Sequence, residues 1–402
     1  MSGVTALGNT ADEIFEKLLS GVNATRRIGA WDAIEGLNTK LAAPIENLVI
    51  PKYPRKKIRG MGKVAKMATV ATENALIDAG LIDNIDVLSN GMMGVAYGFC
   101  TGSTEPVSKL LSILTEQKIK GITATTYIQG MSHTCAVNLS LFFGTTGRLI
   151  PTSSACTSSS QAIGYAYESI KFGMQDVMIA GGAEELCPSQ AVIFDTLFAT
   201  SQMNDNPELT PRPFDSERDG LVIGEGAVTL ILESLDHALS RGATIYAEVA
   251  GFGTNCDAKH LTQPSTETMK RAMQLALDDA NITPDKIKYV NAHGTSTDIG
   301  DISETIATAN LFGESTSISS LKGYFGHTLG ASGSLESWLT IEMMNRGILI
   351  PNINLNKVDD RCAKLDYLKE PKKTSSEYVM SNNFAFGGVN RSLIFKKINT
   401  GS

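Results

Sequence analysis

Short apolar runs of strand length alternate with helix-type patterns along almost the whole of this 402-residue chain, separated by glycine turns. That alternation confines the fold to α/β layers, since strand runs of this kind need helices to cover them. Asp176-Val-Met-Ile-Ala-Gly-Gly-Ala reads as a buried strand ending in a glycine turn. Ala227-Val-Thr-Leu-Ile-Leu-Glu reads as another, and Thr244-Ile-Tyr-Ala-Glu-Val-Ala-Gly as the next. An amphipathic helix follows, with Met269, Ala272, Met273, Ala276 and Ala280 on one face. The order then repeats: a strand over Ile287 to Gly294, a helix over Asp301 to Phe312, a strand over Thr316 to Leu321, and a helix around Leu335, Trp338, Leu339 and Met343. Tyr378-Val-Met-Ser and Arg391-Ser-Leu-Ile-Phe are the last strands, joined by a glycine turn. Two halves are expected, residues 1–245 and 246–402.

The composition is ordinary globular material, 42% hydrophobic and 19% charged. No run of about eighteen apolar residues exists, so no membrane span is expected. The N-terminus lacks the charged and apolar regions of a secretory signal. Six cysteines without paired or metal-type spacing read as reduced cytoplasmic thiols, with no metal site. A net charge of −7 argues against nucleic acid as a partner. Against that background, Lys52, Arg55, Lys56, Lys57, Arg59, Lys63 and Lys66 form a basic run without an acidic residue. It reads either as a solvated face or as a docking patch for an acidic partner.

Chemistry concentrates around Cys156, in Pro151-Thr-Ser-Ser-Ala-Cys-Thr-Ser-Ser-Ser160. A strand-like stretch precedes it and a helical pattern follows, with Ala162, Ala166 and Ile170 spaced four apart. A thiol at that turn meets free backbone N–H groups and a positive helix end, which favour thiolate. A buried structural cysteine remains the competing reading. Two of the five histidines, His293 and His327, sit among glycines that permit close approach. An imidazole at a strand end can donate to a carbonyl gaining negative charge. For either histidine alone a structural role is the commoner outcome, and His133, His237 and His260 lack such surroundings.

Together these segments resemble the elongating type of β-ketoacyl-acyl-carrier-protein synthase, a condensing enzyme of the thiolase fold. The matching pieces are Ser154-Ala-Cys-Thr-Ser, Gly181-Gly-Ala-Glu, Arg212-Pro-Phe-Asp-Ser-Glu-Arg-Asp-Gly220 and Gly224-Glu-Gly-Ala. They continue with Asn291-Ala-His-Gly-Thr-Ser-Thr, Lys322 through Gly333, and Ser381-Asn-Asn-Phe-Ala-Phe-Gly-Gly, in family order. The resemblance implies duplicated βαβαβαββ halves in five layers, α-β-α-β-α. It implies Cys156 as the acyl-carrying nucleophile, with His293 and His327 binding the malonyl thioester carbonyl and promoting decarboxylation. Backbone N–H groups of Cys156 and Phe384 would form the oxyanion hole, Phe384 also acting as a gate. Lys322 would be held by a carboxylate, with Glu336 the candidate, and Glu304 is a second carboxylate at a family position. Thr295 and Thr297 would bind the phosphopantetheine arm, which acyl carrier protein delivers; no bound cofactor is implied. Thr126 and Phe386 are expected along the substrate channel, and Lys56, Arg59 and Lys63 at the carrier-protein contact. A dimer follows, with a copy of itself or a related subunit.

Three departures from the family qualify this. The strand before Gly3-Val-Thr-Ala-Leu-Gly8 is short, Asp298-Ile-Gly stands where a proline often follows the threonine, and Thr125 to His133 differs from common fatty-acid enzymes. Gly182 to Ser201 is similar to synthases of bacterial aryl-polyene pathways. A thiolase would need a second cysteine near the C-terminus, and a priming synthase an asparagine in place of one histidine. A non-catalytic chain-length-factor-like subunit would normally lose the cysteine kept here. A Cys–His hydrolase would not require Lys322 and a second histidine.

Overall fold

The computed structural model describes residues 1–398. Leu149–Thr152, Met93–Gly98, Val177–Glu184, Gly226–Glu233 and Ser2–Thr5 form the first sheet, in that spatial order. The first three strands are parallel and the last two are added antiparallel. Ser317–Ser319, Ile287–Asn291, Tyr378–Ala385, Val389–Lys396 and Glu248–Cys256 repeat the same order and the same senses in the second sheet. Asp366–Tyr367 adds a parallel edge to it. Two units with one topology account for the repeated strand, turn and helix order in the sequence.

The helices complete five layers. Ser158–Lys171 and Ser332–Arg346 lie between the sheets, where Ala162, Ile163 and Ala166 share a buried cluster with Leu335, Trp338 and Leu339. Met178, Val228 and Leu230 close that cluster from the first sheet, and Val379, Leu393 and Phe395 from the second. Gly3 leaves room for the buried indole of Trp338, since a Cβ there would lie 2.7 Å from its ring. Lys63–Asp78 and Thr134–Phe143 cover the outer face of the first sheet, Thr266–Ala280 and Asp298–Phe312 that of the second. No helix among the described residues is long and apolar enough to cross a membrane.

Element positions differ from expectation in several places: the strand expected to reach Gly294 ends at Asn291, and the one expected over Thr316 to Leu321 is Ser317–Ser319. The strand expected over Thr244 to Gly251 runs instead from Glu248 to Cys256, because its ladder with Val389–Lys396 begins at Lys396 opposite Glu248. The helix expected from Asp301 starts at Asp298, with Thr297 as its N-cap. The first strand is indeed short, four residues paired with Gly226 to Thr229.

Candidate active site

Both sheets aim the C-terminal ends of their parallel strands at one place. The strand Leu149–Thr152 leads into a turn in which Ala155 takes φ +51°, a left-handed conformation that an alanine adopts only under constraint. Hydroxyls supply that constraint. Ser158 Oγ donates to the Ala155 carbonyl at 2.7 Å and accepts from Ser154 N–H at 2.9 Å, while Thr152 Oγ1 donates to the Ser158 carbonyl at 2.8 Å. Cys156 thus sits at the mouth of the central helix Ser158–Lys171, 5% exposed. Gly333, at the start of the facing helix, lets the two central helices touch: a Cβ there would lie 2.0 Å from Ser160 Oγ.

His293 follows the strand Ile287–Asn291. Glu304 Oε1 and Oε2 accept from the His293 and Gly294 N–H groups, each at 2.8 Å, and so hold the turn. Burial pushes the Glu304 carboxyl up to about 7 despite those two bonds. His327 is held from the other half of the chain. Its N–H donates to the Val222 carbonyl at 2.7 Å, and its carbonyl accepts from Gly224 N–H at 2.8 Å. Gly326, at φ +65°, makes the bend that permits this.

One reactive atom from each of Cys156, His293 and His327 lies within 4.8 Å of the others, and all three residues are buried. The imidazole rings meet edge to face at 5.3 Å. Burial first, then the Lys322 ammonium, holds both histidines well below the usual imidazole range, so both are neutral. His327 Nδ1 accepts from Leu329 N–H at 3.2 Å, which places the proton on Nε2. That Nε2 is buried without a partner, a donor waiting for an acceptor. The resting thiol departs from expectation. The helix end was expected to favour thiolate, but burial outweighs it and pushes the Cys156 thiol up to about 12, with Lys322 and the Cys156 N–H pulling the other way.

Lys322, 2% exposed, pairs with Glu336, which also accepts from Ser332 Oγ at 3.1 Å and Asn383 Nδ2 at 2.6 Å. With its ammonium committed there, Lys322 acts on the site through its charge. A cavity of about 530 Å³ opens from Cys156, lined by His293, His327, Thr295, Thr297, Phe384 and Phe386 among others. The Thr295 and Thr297 hydroxyls are 2.9 Å apart. Phe384 stands 6.2 Å from the His293 ring, and Phe386 packs 5.4 Å from Phe194.

Thr126 and Lys63 are engaged by other partners, and His260 joins the cavity. Thr126 is turned into its own helix, where its hydroxyl accepts from Thr123 N–H at 3.2 Å in a capping box, away from the cavity lining. Lys63, itself exposed, pairs with the buried Glu225 at 2.6 Å, and Lys56 and Arg59 are exposed without such a partner among the described residues. His260, set aside in the sequence, lines the cavity, its Nδ1 accepting from Thr262 and Gln263 N–H at 3.1 Å each. Phe194, Leu197, Phe198 and Arg218 also line the cavity and were not singled out. Nor was Asn383, although two consecutive amides, Asn382 and Asn383, inside a buried strand are a legible signal.

A thiol and two neutral imidazoles at the meeting of two like-folded halves define a condensing enzyme of the thiolase fold. Residues 1–238 match the family model of the beta-ketoacyl synthase N-terminal domain, and residues 246–356 that of the C-terminal domain. The chain belongs to the beta-ketoacyl synthase family. It is 37% identical to 3-oxoacyl-[acyl-carrier-protein] synthase 2 of Vibrio harveyi, covering 99% of this chain and 97% of the relative. The crystal structure of a beta-ketoacyl synthase from Burkholderia phymatum STM815 superposes with a TM-score of 0.98 at 56% identity, over 99% of this chain and 98% of that one. The ketosynthase ApeO in complex with its chain length factor ApeC, from Xenorhabdus doucetiae, gives 0.81 at 27% identity, over 99% and 96%.

Proposed function

We propose that the protein condenses an acyl group held on Cys156 with a malonyl group on acyl carrier protein, as a β-ketoacyl-acyl-carrier-protein synthase. The convergence of Cys156 with two neutral histidines carries the reading. In the first half-reaction the Cys156 sulfur attacks the acyl thioester, the carrier's phosphopantetheine thiol leaves, and the Cys156 proton goes to it. In the second, malonyl-carrier loses carbon dioxide, and His293 and His327 donate to the thioester oxygen as the enolate forms. The enolate carbon then attacks the Cys156 thioester, and the sulfur leaves and is reprotonated. The product is the 3-oxoacyl thioester on the carrier. Backbone N–H groups of Cys156 and Phe384 are assigned to the oxyanion of each acyl transfer, Phe384 to gating, and Thr295 and Thr297 to the phosphopantetheine arm.

In this reading residues 1–245 bring the nucleophile and 246–402 the histidines. Lys56 and Arg59 receive the acidic carrier, the chain pairs with itself or a related subunit, and it works in the cytoplasm. The retained nucleophile disfavours a non-catalytic chain-length-factor role. An aryl-polyene-type substrate is favoured by the Gly182 to Ser201 stretch, which places Phe194, Leu197 and Phe198 on the cavity wall. Intact mass after incubation with acyl-carrier protein should show Cys156 acylated, and no adduct in Cys156→Ala. An unchanged adduct in that variant refutes the assignment. A panel of saturated, unsaturated and aryl-enoyl carrier thioesters then ranks the acyl classes, and a saturated preference would refute the aryl-polyene reading.

A further inference from the structure

Asn383 lies one residue before Phe384, 1% exposed, where the second sheet meets both central helices. Its side chain touches three parts of the site. Nδ2 donates to Glu336 Oε2 at 2.6 Å and faces His293 Nδ1 at 3.5 Å, while Oδ1 accepts from Ser160 Oγ on the helix that follows Cys156. Chemistry fixes which way the amide points. Glu336, bound to Lys322 through Oε1, presents lone pairs at Oε2, so the amide nitrogen must face it. The Ser160 hydroxyl then has an oxygen to donate to. One Nδ2 hydrogen remains, and His293 Nδ1 lies in front of it. Two N–H groups cannot share that contact, so Nδ1 carries the lone pair and Nε2 the proton. Among the described residues, no other side chain or backbone group hydrogen-bonds the His293 ring.

We infer that Asn383 is a positioning residue that fixes His293 as its Nε2–H tautomer, so that the ring offers the site a donor and not a lone pair. The two histidines reach the same tautomer by different means: Leu329 N–H sets His327 through the backbone, and Asn383 sets His293 through a side chain. The neutrality of the buried His293 ring makes its tautomer, and not its charge, the variable to control. The catalytic consequence rests on the proposed condensation; the tautomer itself does not.

The test uses the full protein labelled with 15N-histidine and a two-bond 1H–15N correlation spectrum recorded without substrate. Five histidines keep that spectrum tractable, and His293→Asn assigns the signal. The parent should show His293 protonated at Nε2. Asn383→Ala should shift it to a tautomer mixture, and Asn383→Ser, which keeps an O–H donor, should recover part of the preference. Malonyl-carrier decarboxylation should fall about 10- to 100-fold in Asn383→Ala, the range for losing a partner that orients a metal-bound histidine, while acylation of Cys156 is little changed. An Nδ1–H tautomer in the parent overturns the inference and needs no variant to fold. So does an unchanged tautomer in Asn383→Ala, or equal loss of both half-reactions. A tautomer change in a protein whose parent does not decarboxylate malonyl-carrier would support the positioning role and refute the condensation.

Discussion

Replacing His327 by alanine should separate the two half-reactions. The His327 ring is 1% exposed, its Nδ1 is occupied by Leu329 N–H, and its Nε2–H has no partner in the protein. The donor is therefore pre-oriented and costs no reorganisation when the enolate oxygen forms. Loss of one such donor from a dry site costs about 2.7–4 kcal/mol, a fall on the order of 10²- to 10³-fold in decarboxylation. In the proposed mechanism acylation of Cys156 draws on the thiol and backbone donors instead, so it should fall far less. Single-turnover carbon dioxide release from malonyl-carrier measures the first rate, and intact mass of the Cys156 adduct the second. His327→Asn retains an N–H donor on a shorter side chain and should fall between parent and alanine variant. Decarboxylation within about tenfold of the parent would refute the donor role, since even the smallest donor loss exceeds that. Equal loss of both half-reactions would show His327 to be acting through structure.

Lys322→Met leaves the Glu336 carboxylate buried beside Asn383 and Ser332 without its cation. Chemical denaturation should show a loss of about 3–5 kcal/mol, much of it recovered in Lys322→Met/Glu336→Leu, where no unpaired charge remains. Both histidines have pKa values lowered below 6.5, so each stays neutral as pH falls through that value. The acid limb of decarboxylation should therefore lie below pH 6.5, and a pH–rate profile with a limb at or above 6.5 would contradict the burial argument. Lys56→Glu with Arg59→Glu should raise the carrier-protein KM and flatten its salt dependence with kcat retained. An unchanged KM would remove these residues from the docking surface.

Alternation of apolar runs was enough to find most strands, and the Cys156 turn was legible because a strand, small residues and a helical pattern surround it. Position along the chain said little about contacts that form across the two sheets. Asn383 acquires its role from Ser160, which lies 223 residues away, and from Glu336 on a third element. Lys63 belongs to a basic run in sequence, and the fold adds a partner for it, Glu225, from 162 residues away. The capping contact of Thr126 is set by its place at the third position of a helix, where its hydroxyl accepts from Thr123 N–H. The thiol acidity was misjudged because the helix end is visible in sequence, whereas the burial that opposes it is a property of packing.

The grip of Val222 and Gly224 on His327 means that one of the two site histidines has no fixed place until the two like-folded units dock. A chain caught during synthesis, with its earlier unit folded and its later one incomplete, holds the thiol but not the paired imidazoles. Under the proposed roles of the two histidines, release of carbon dioxide then waits on assembly. In the proposed condensation, the enolate forms only where the two like-folded units have closed on one another.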